Sequence, residues 1–336
     1  MKESVFNTRI LSAEAVQEAA AWLKAGELVA FPTETVYGLG ANALAAAAVA
    51  KIFAAKGRPA DNPLIVHVAN QAAAEPLARL NPLACQLMDA FWPGPLTLVL
   101  PRQKLVPDLV SAGLPTLALR MPRHPLALAL LNECGLPLAA PSANLSGRPS
   151  PTLPGHVFED LAGQIALILD GGPVEIGLES TVLDLSGKQP VLLRPGAVTR
   201  SQLQPFCGEI LLPDQHRQER PAAPGMKYSH YAPRARVLLA HDIDDLRQMR
   251  QQTQKEGHSP LYILSQESLE QLPELPREQV LLAWPAHNME IFANQLFSCF
   301  RQADELKAQA IIVETVPETG LGRAIMNRLR KASGSG

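Results

Sequence analysis

The sequence predicts a two-part α/β protein: a large, mixed, twisted sheet within residues 1–207 and a smaller parallel, Rossmann-like sheet within residues 236–336. Three observations carry this reading. Short aliphatic runs alternate with helix-like segments through the first part. A stretch from Pro213 to Pro233, rich in Pro, Arg, Gln and His, then interrupts the pattern. After it, four more aliphatic runs recur with helical segments between them, the order of a parallel sheet. A chain of 336 residues, at roughly 150 residues per domain, agrees with two domains.

Each element has a local reason. Ser12 stands where it can cap a helix that carries Val16, Ala19, Ala20 and Leu23 on one face, with Gly26 as its stop. Leu28 to Phe31 reads as a strand, followed by PTETVYGLGAN as a strand-to-helix turn and an alanine-rich helix from Leu44 to Ala55. Lys56-Gly57-Arg58-Pro59 is a loop, because Gly and Pro both end helices. Further strands are expected at Leu64 to Val68, Leu96 to Leu100, Leu117 to Met121, Leu136 to Ala140, Ile165 to Leu169, Thr181 to Leu185 and Val191 to Leu193. Helices are expected at Pro82 to Phe91 and Pro125 to Cys134. Residues 208–235 are a linker by composition, although Gly225 to Pro233 has more aromatic character than a spacer needs. Beyond it, Val237 to Ala240, Leu261 to Leu264, Val280 to Trp284 and Ile311 to Glu314 read as strands. Met289 to Leu306 and Arg323 to Lys331 read as helices.

Composition narrows the function classes. A net charge of −2 argues against a protein whose main task is holding nucleic-acid phosphates, though a brief RNA contact stays compatible with it. The four cysteines are scattered, with no CxxC and no zinc half-site, which fits a reducing compartment. The first residues lack the apolar core of a signal peptide. The longest apolar run, Ala43 to Ala50, falls short of the ~20 residues that cross a bilayer. The expectation is a cytoplasmic protein without a membrane partner.

Several residues could carry chemistry. Gly38-Leu39-Gly40-Ala41-Asn42-Ala43 matches a dinucleotide fingerprint, with Asp61 downstream, but PTETVY separates the strand from Gly38. Glycines that permit a tight turn are the plainer reading. No GxxxxGK(S/T) occurs, so a nucleotide site here is not a P-loop. The hydroxyls of Thr33, Thr35 and Tyr37 suit either a ligand or a helix cap. Lys56 and Arg58, with Asn62 in reach, suit either a solvated loop or a phosphate chain. In Leu117 to Met121 the period of two turns Arg120 away from Leu117, Leu119 and Met121. A buried Arg needs a partner, either an internal Asp or Glu or a substrate carboxylate. His67 is either a satisfied core residue or a pocket residue. Ser142, Asn144, Ser150, Ser180, Thr181 and Arg194 stand at strand ends, where α/β sheets bind ligands, but these residue types also form ordinary turns.

Taken in order, FPTETVYGLG, AAKGRPADNPLIVHV, FWPGPLTLVL, LALRMPRHP, PSANLSGRPSPT, GLESTVLDL and LLRPGAV resemble the YrdC-type threonylcarbamoyl-AMP synthases over residues 10–200. GMKYSHYAP and TGLGRAIMNRLRKA are similar to the long form with an additional C-terminal domain. The resemblance implies a YrdC-like catalytic domain. The implied reaction converts L-threonine, bicarbonate and ATP into threonylcarbamoyl-AMP, pyrophosphate and water. A downstream transferase then modifies the adenosine beside the anticodon of ANN-decoding tRNAs. It implies a threonine site at Thr35, His67, Arg120, Ser180 and Thr181. It implies a nucleotide site at Lys56, Arg58, Asn62, Thr116, Ser142, Asn144, Ser150, Arg194 and Tyr231. Lys56 and Arg58 would offset charge on the departing pyrophosphate, with Mg²⁺ accompanying ATP. Tyr228 to Pro233 is expected to close over the nucleotide as a lid. The rival from another class is a non-catalytic RNA-binding module acting on tRNA or ribosomal RNA, suggested by Arg323, Arg328, Arg330 and Lys331 in the last helix. Those charges equally suit the C-terminal end of a helix, whose dipole favours cations. A carbamoyl-adenylating domain of hydrogenase maturation would bring zinc-finger cysteines that this chain lacks.

Overall fold

The computed structural model describes residues 6–213 and 231–334. They divide into two bodies: residues 6–146, 150–175 and 179–213 form the first, and residues 147–149, 176–178 and 231–334 the second. Among the described residues no helix is long and apolar enough to cross a membrane.

The first body holds a ten-stranded sheet. Its strands are β1 (Arg9–Leu11), β2 (Val29–Phe31), β3 (Gly38–Asn42), β4 (Ile65–His67), β5 (Leu96–Pro101), β6 (Thr116–Arg120), β7 (Leu138–Ala139), β8 (Leu167–Leu169), β9 (Thr181–Asp184) and β10 (Val191–Arg194). Their spatial order is β1-β8-β2-β3-β7-β4-β6-β5-β9-β10. The sheet is mixed: β4 runs parallel to β6 but antiparallel to β7, and β5 runs antiparallel to β6 but parallel to β9. The expected strands are all present, within a few residues at their ends.

The helices follow their caps. They are α1 (Val16–Lys24), α2 (Ala46–Lys56), α3 (Pro82–Phe91), α4 (Asp108–Ser111), α5 (Pro125–Cys134), α6 (Pro154–Leu161) and α7 (Arg200–Cys207). In α3 the Asn81 side chain accepts from Ala84 N, and Pro82 occupies the first turn, where its missing N–H costs nothing. α2 ends on Gly57 at φ 60°, a left-handed position that glycine adopts without strain. Ser12 does not cap α1: its side chain makes no cap hydrogen bond, and a short 3-10 turn at Ala13–Ala15 intervenes.

The largest correction concerns GLGAN. It is strand β3, antiparallel to β2, so PTETVY joins two strands and does not lead into a helix. Neither Gly38 nor Gly40 has a positive φ, which removes the tight-turn reading along with the dinucleotide fingerprint. What Gly40 supplies is room: a Cβ there would lie 2.8 Å from Phe31 Cε1. The sequence reading also passed over β1, α4, α6 and α7. α7 carries a capping box between Thr199 and Gln202, masked in sequence by Pro205 inside the helix.

The second body holds an all-parallel four-stranded sheet, in the order β11-β14-β12-β13. Its strands are β11 (Arg236–Ala240), β12 (Leu261–Ser265), β13 (Val280–Trp284) and β14 (Ala310–Glu314). Its helices are α8 (Ile243–Lys255), α9 (Gln266–Glu270), α10 (Met289–Glu305) and α11 (Gly322–Ser333). Arg301, on α10, is buried and donates to Pro149 O at 2.6 Å within this body. Gly177 also belongs to it, with no room for a side chain: a Cβ would lie 2.4 Å from Asn294 O. Of the linker expected at 208–235, residues 214–230 lie outside the described residues.

Candidate active site

The segment after β2 is shaped by Thr33. Its hydroxyl donates to Val36 O at 2.7 Å and accepts from Thr35 N and Val36 N, both at 3.2 Å. Because that hydroxyl has one hydrogen, the 2.8 Å contact between Thr33 Oγ1 and Thr35 Oγ1 has Thr35 donating. Thr35 Oγ1 is then left to accept, and it takes Arg120 Nη1 at 2.9 Å. A turn built from hydroxyls thus fixes the guanidinium on β6.

Arg120 is 3% exposed and approached from three sides, with two hydrogen bonds and one ion pair. Besides Thr35, its Nε donates to Gly94 O at 3.3 Å, and its Nη2 lies 2.8 Å from Glu34 Oε2. The internal acidic partner that a buried arginine requires is therefore Glu34. The sequence reading named that class of partner without finding the residue, although PTET places an acid directly after a buried strand. His67 pairs in register with Arg120 on the neighbouring strand. Burial first, and the Arg120 charge second, push its pKa down to about 3. It is a neutral imidazole at ordinary pH.

The same sheet edge gathers Ser180 and Thr181. Thr181 N donates to Pro95 O at 2.9 Å, and Thr181 Oγ1 donates to Val198 O at 2.6 Å. Ser180 Oγ lies 2.8 Å from Thr97 Oγ1. Arg194 spans Ser180, with Nε to its carbonyl at 3.0 Å and Nη2 to its hydroxyl at 3.1 Å. Gly196 permits this packing, because a Cβ there would sit 2.4 Å from Thr181 N. Ser150 donates to Glu179, which ties a further expected residue to the same strand end. Thr97 and Glu179 carried no distinctive signal in the sequence.

A second group forms where α2 ends. Lys56 is not a solvated loop residue: it is the last residue of α2 and 2% exposed. Its ammonium donates to Ser142 O at 2.6 Å and to Asn144 O. Ser142 Oγ donates to the Asn144 side chain at 2.5 Å, so PSAN and the end of α2 hold each other. Arg58 Nη2 donates to Pro63 O at 3.1 Å, and the Nδ2 of Asn62 is buried without a hydrogen-bond partner among the described residues. Thr116 begins β6 and Arg120 ends it, on the order of 13 Å apart at about 3.3 Å per residue.

Two expected features belong to the second body. Tyr231 lies in the second body, buried, with its ring stacked on Phe297 at 5.3 Å between centroids and the Arg328 guanidinium 5.7 Å from its own centroid. Of the expected lid, Tyr228 to His230 lie outside the described residues. The basic last helix is mostly not a free cationic face: Arg328 is fully buried, and Arg330 pairs with Glu318.

Residues 21–196 match the family model described as "Telomere recombination" (Sua5_yciO_yrdC), and residues 198–334 match "Threonylcarbamoyl-AMP synthase, C-terminal domain". A Bacillus subtilis (strain 168) relative named threonylcarbamoyl-AMP synthase is 49% identical over 325 residues, covering 95% of this chain and 93% of the relative. This chain belongs to the threonylcarbamoyl-AMP synthase family. A Pyrococcus abyssi (strain GE5 / Orsay) relative of the same name is 45% identical over 329 residues, covering 95% of this chain and 94% of its own. The crystal structure of P. abyssi Sua5 complexed with L-threonine superposes with a TM-score of 0.90 at 44% identity, covering 98% of each chain. The family's fold accounts for the mixed sheet of the first body and the parallel sheet of the second.

Proposed function

We infer that the chain is a threonylcarbamoyl-AMP synthase: it carboxylates the amine of L-threonine and transfers AMP from ATP to the resulting carbamate. The observation that carries this reading is the Arg120 cluster. A buried guanidinium held by Thr35 and Gly94, beside a neutral His67, is suited to a small carboxylate that also carries a hydroxyl. Thr35 and Thr181 are hydroxyl groups that can face the threonine side chain. Discrimination against serine would rest on packing one methyl, worth about 1–3 kcal/mol.

The second group suits the nucleotide. The carbamate oxygen attacks the α-phosphorus, and pyrophosphate leaves with growing negative charge. Lys56, fixed by two carbonyls, and Arg58 supply positive charge on that side. Asn62, Thr116, Ser142, Asn144, Ser150 and Arg194 complete the proposed nucleotide set of the first body. Catalysis in this reading is chiefly positioning and electrostatics. Mg²⁺ would accompany the phosphates of ATP. Placement in the cytoplasm, with a transferase that passes the threonylcarbamoyl group to tRNA as the consumer of the product, completes the proposal. The four free cysteines agree with a reducing compartment.

The test is pyrophosphate release from ATP, with mass spectrometry of the product formed from labelled bicarbonate. Release should require both threonine and bicarbonate, and the label should appear in the adenylate. ATP turnover indifferent to threonine would refute the reading.

A further inference from the structure

One buried carboxylate at the threonine site has no part in the reading above. Glu34 is 1% exposed. Its Oε2 lies 2.8 Å from Arg120 Nη2, which accounts for one oxygen as counter-charge. Its Oε1 is buried and has no hydrogen-bond partner among the described residues. An acceptor left dry and unpartnered is costly, and a purely structural ion pair would be better completed by a second donor. The chain does complete a half-buried carboxylate elsewhere: that of Glu314 accepts from Ser265 N, Ser265 Oγ and Ser268 Oγ at 2.7–3.1 Å.

Arg120 has a matching surplus. Each of its three nitrogens has one of the partners described, and the fork carries five N–H groups. Only the Nε and Nη1 contacts are hydrogen bonds, and Nη2 meets Glu34 Oε2 as an ion pair, so three N–H groups remain beside a carboxylate that accepts no hydrogen bond among the described residues. A free α-amino acid presents the complement of this pair, a carboxylate and an ammonium on one carbon. Seated on Arg120 and Glu34 together, its two charges and theirs sum to zero, which a buried site tolerates far better than a lone added charge. His67, held neutral next to Arg120, leaves that balance unaltered.

We propose that Glu34 receives the α-ammonium of L-threonine on Oε1, so that it selects substrates with a free amino group and holds the nitrogen that is to be carboxylated. Glu34 is a binding and positioning residue in this account, and the proton lost on carboxylation passes to solvent. The proposal rests on the reading of threonine as substrate.

The experiment measures calorimetric affinities of L-threonine and of (R)-3-hydroxybutanoate, which keeps the carboxylate and hydroxyl but lacks the amine. The full-length protein and its Glu34→Gln variant are compared. The wild type should bind threonine about tenfold to a hundredfold more tightly than the deaminated ligand, the range of a charge-assisted hydrogen bond. Glu34→Gln should collapse that ratio to within about threefold, mainly by weakening threonine. A variant that weakens both ligands by the same factor would mean that Glu34 serves Arg120 alone, and it would overturn the proposal. If the Gln variant does not fold by circular dichroism, the wild type still decides, because equal affinity for the two ligands overturns the proposal without any variant. In all of these outcomes the wild type binds threonine. A wild type that does not bind threonine overturns the substrate reading itself, and the inference with it.

Discussion

Two carboxylates, buried Glu34 in the first body and half-buried Glu314 in the second, are treated in opposite ways. In the second body, β12 and β14 are neighbours; β12 leads through α9 to β13 on one side, while α11, which follows β14, packs against β11 on the other. That is the crevice where parallel α/β sheets commonly bind ligands. Here the chain's own Glu314 occupies it, with both oxygens satisfied by Ser265 and Ser268. In the first body the mixed sheet gathers Glu34, Arg120 and His67, and all three carry buried polar atoms, Glu34 Oε1 and Oε2, Arg120 Nη2 and His67 Nδ1, without a hydrogen-bond partner among the described residues. The difference teaches that the fold-level rule for ligand sites is overruled by local chemistry. A crevice filled by a completed hydrogen-bond network is a structural joint. An ion pair with capacity left over is what the proposed threonine site would use.

Substitutions can break this comparison. Arg120→Ala should have the largest effect, because it removes the carboxylate's partner and leaves Glu34 buried and uncompensated. Such a loss costs about 3–5 kcal/mol of stability. Thermal melting should show the drop, and threonine-dependent pyrophosphate release should vanish in whatever remains folded. Arg58→Ala should lower the rate of pyrophosphate release by about a hundredfold, in the range for removing one group that stabilises transition-state charge. Threonine affinity by calorimetry should change little, and an equal loss of both would remove Arg58 from the pyrophosphate side.

Glu314→Ala sharpens the contrast from the other body. Losing the hydrogen bonds to one carboxylate should cost about 2–3 kcal/mol, read by urea unfolding, with threonine affinity unchanged. An altered threonine affinity would show that the second crevice is not merely a joint. The most gradual effect is a pH dependence. His67 has a folded pKa pushed down to about 3, against about 6.5 when unfolded. As pH falls below about 6.5 the unfolded chain takes up a proton that the folded chain refuses, so stability declines toward pH 3. The slope is at most about 1.4 kcal/mol per pH unit. His67→Gln should remove that part of the slope when unfolding is followed between pH 7 and pH 4.

Much of this was legible before any coordinates, for a physical reason. Strand and helix runs show themselves by periodicity and caps, so Pro82–Phe91 and Pro125–Cys134 appear where the sequence places them. Arg120 was singled out because a charge in an apolar strand needs a partner, and the family motifs proposed its role. GLGAN misled, because two glycines before an alanine-rich helix read as a turn. Only the Phe31 ring lying across Gly40 shows why they stand in a strand.

What the sequence by itself determined is the class of each element, the two-domain order and the family, all of which depend on residues close together along the chain. What only the tertiary structure decided is which partner each buried charge holds. Lys56 and Asn144 are 88 residues apart, and Arg120 and Thr35 are 85 apart. Whether a buried ion is completed or left with capacity depends on groups brought together across such distances, and chain-local patterns carry no trace of that.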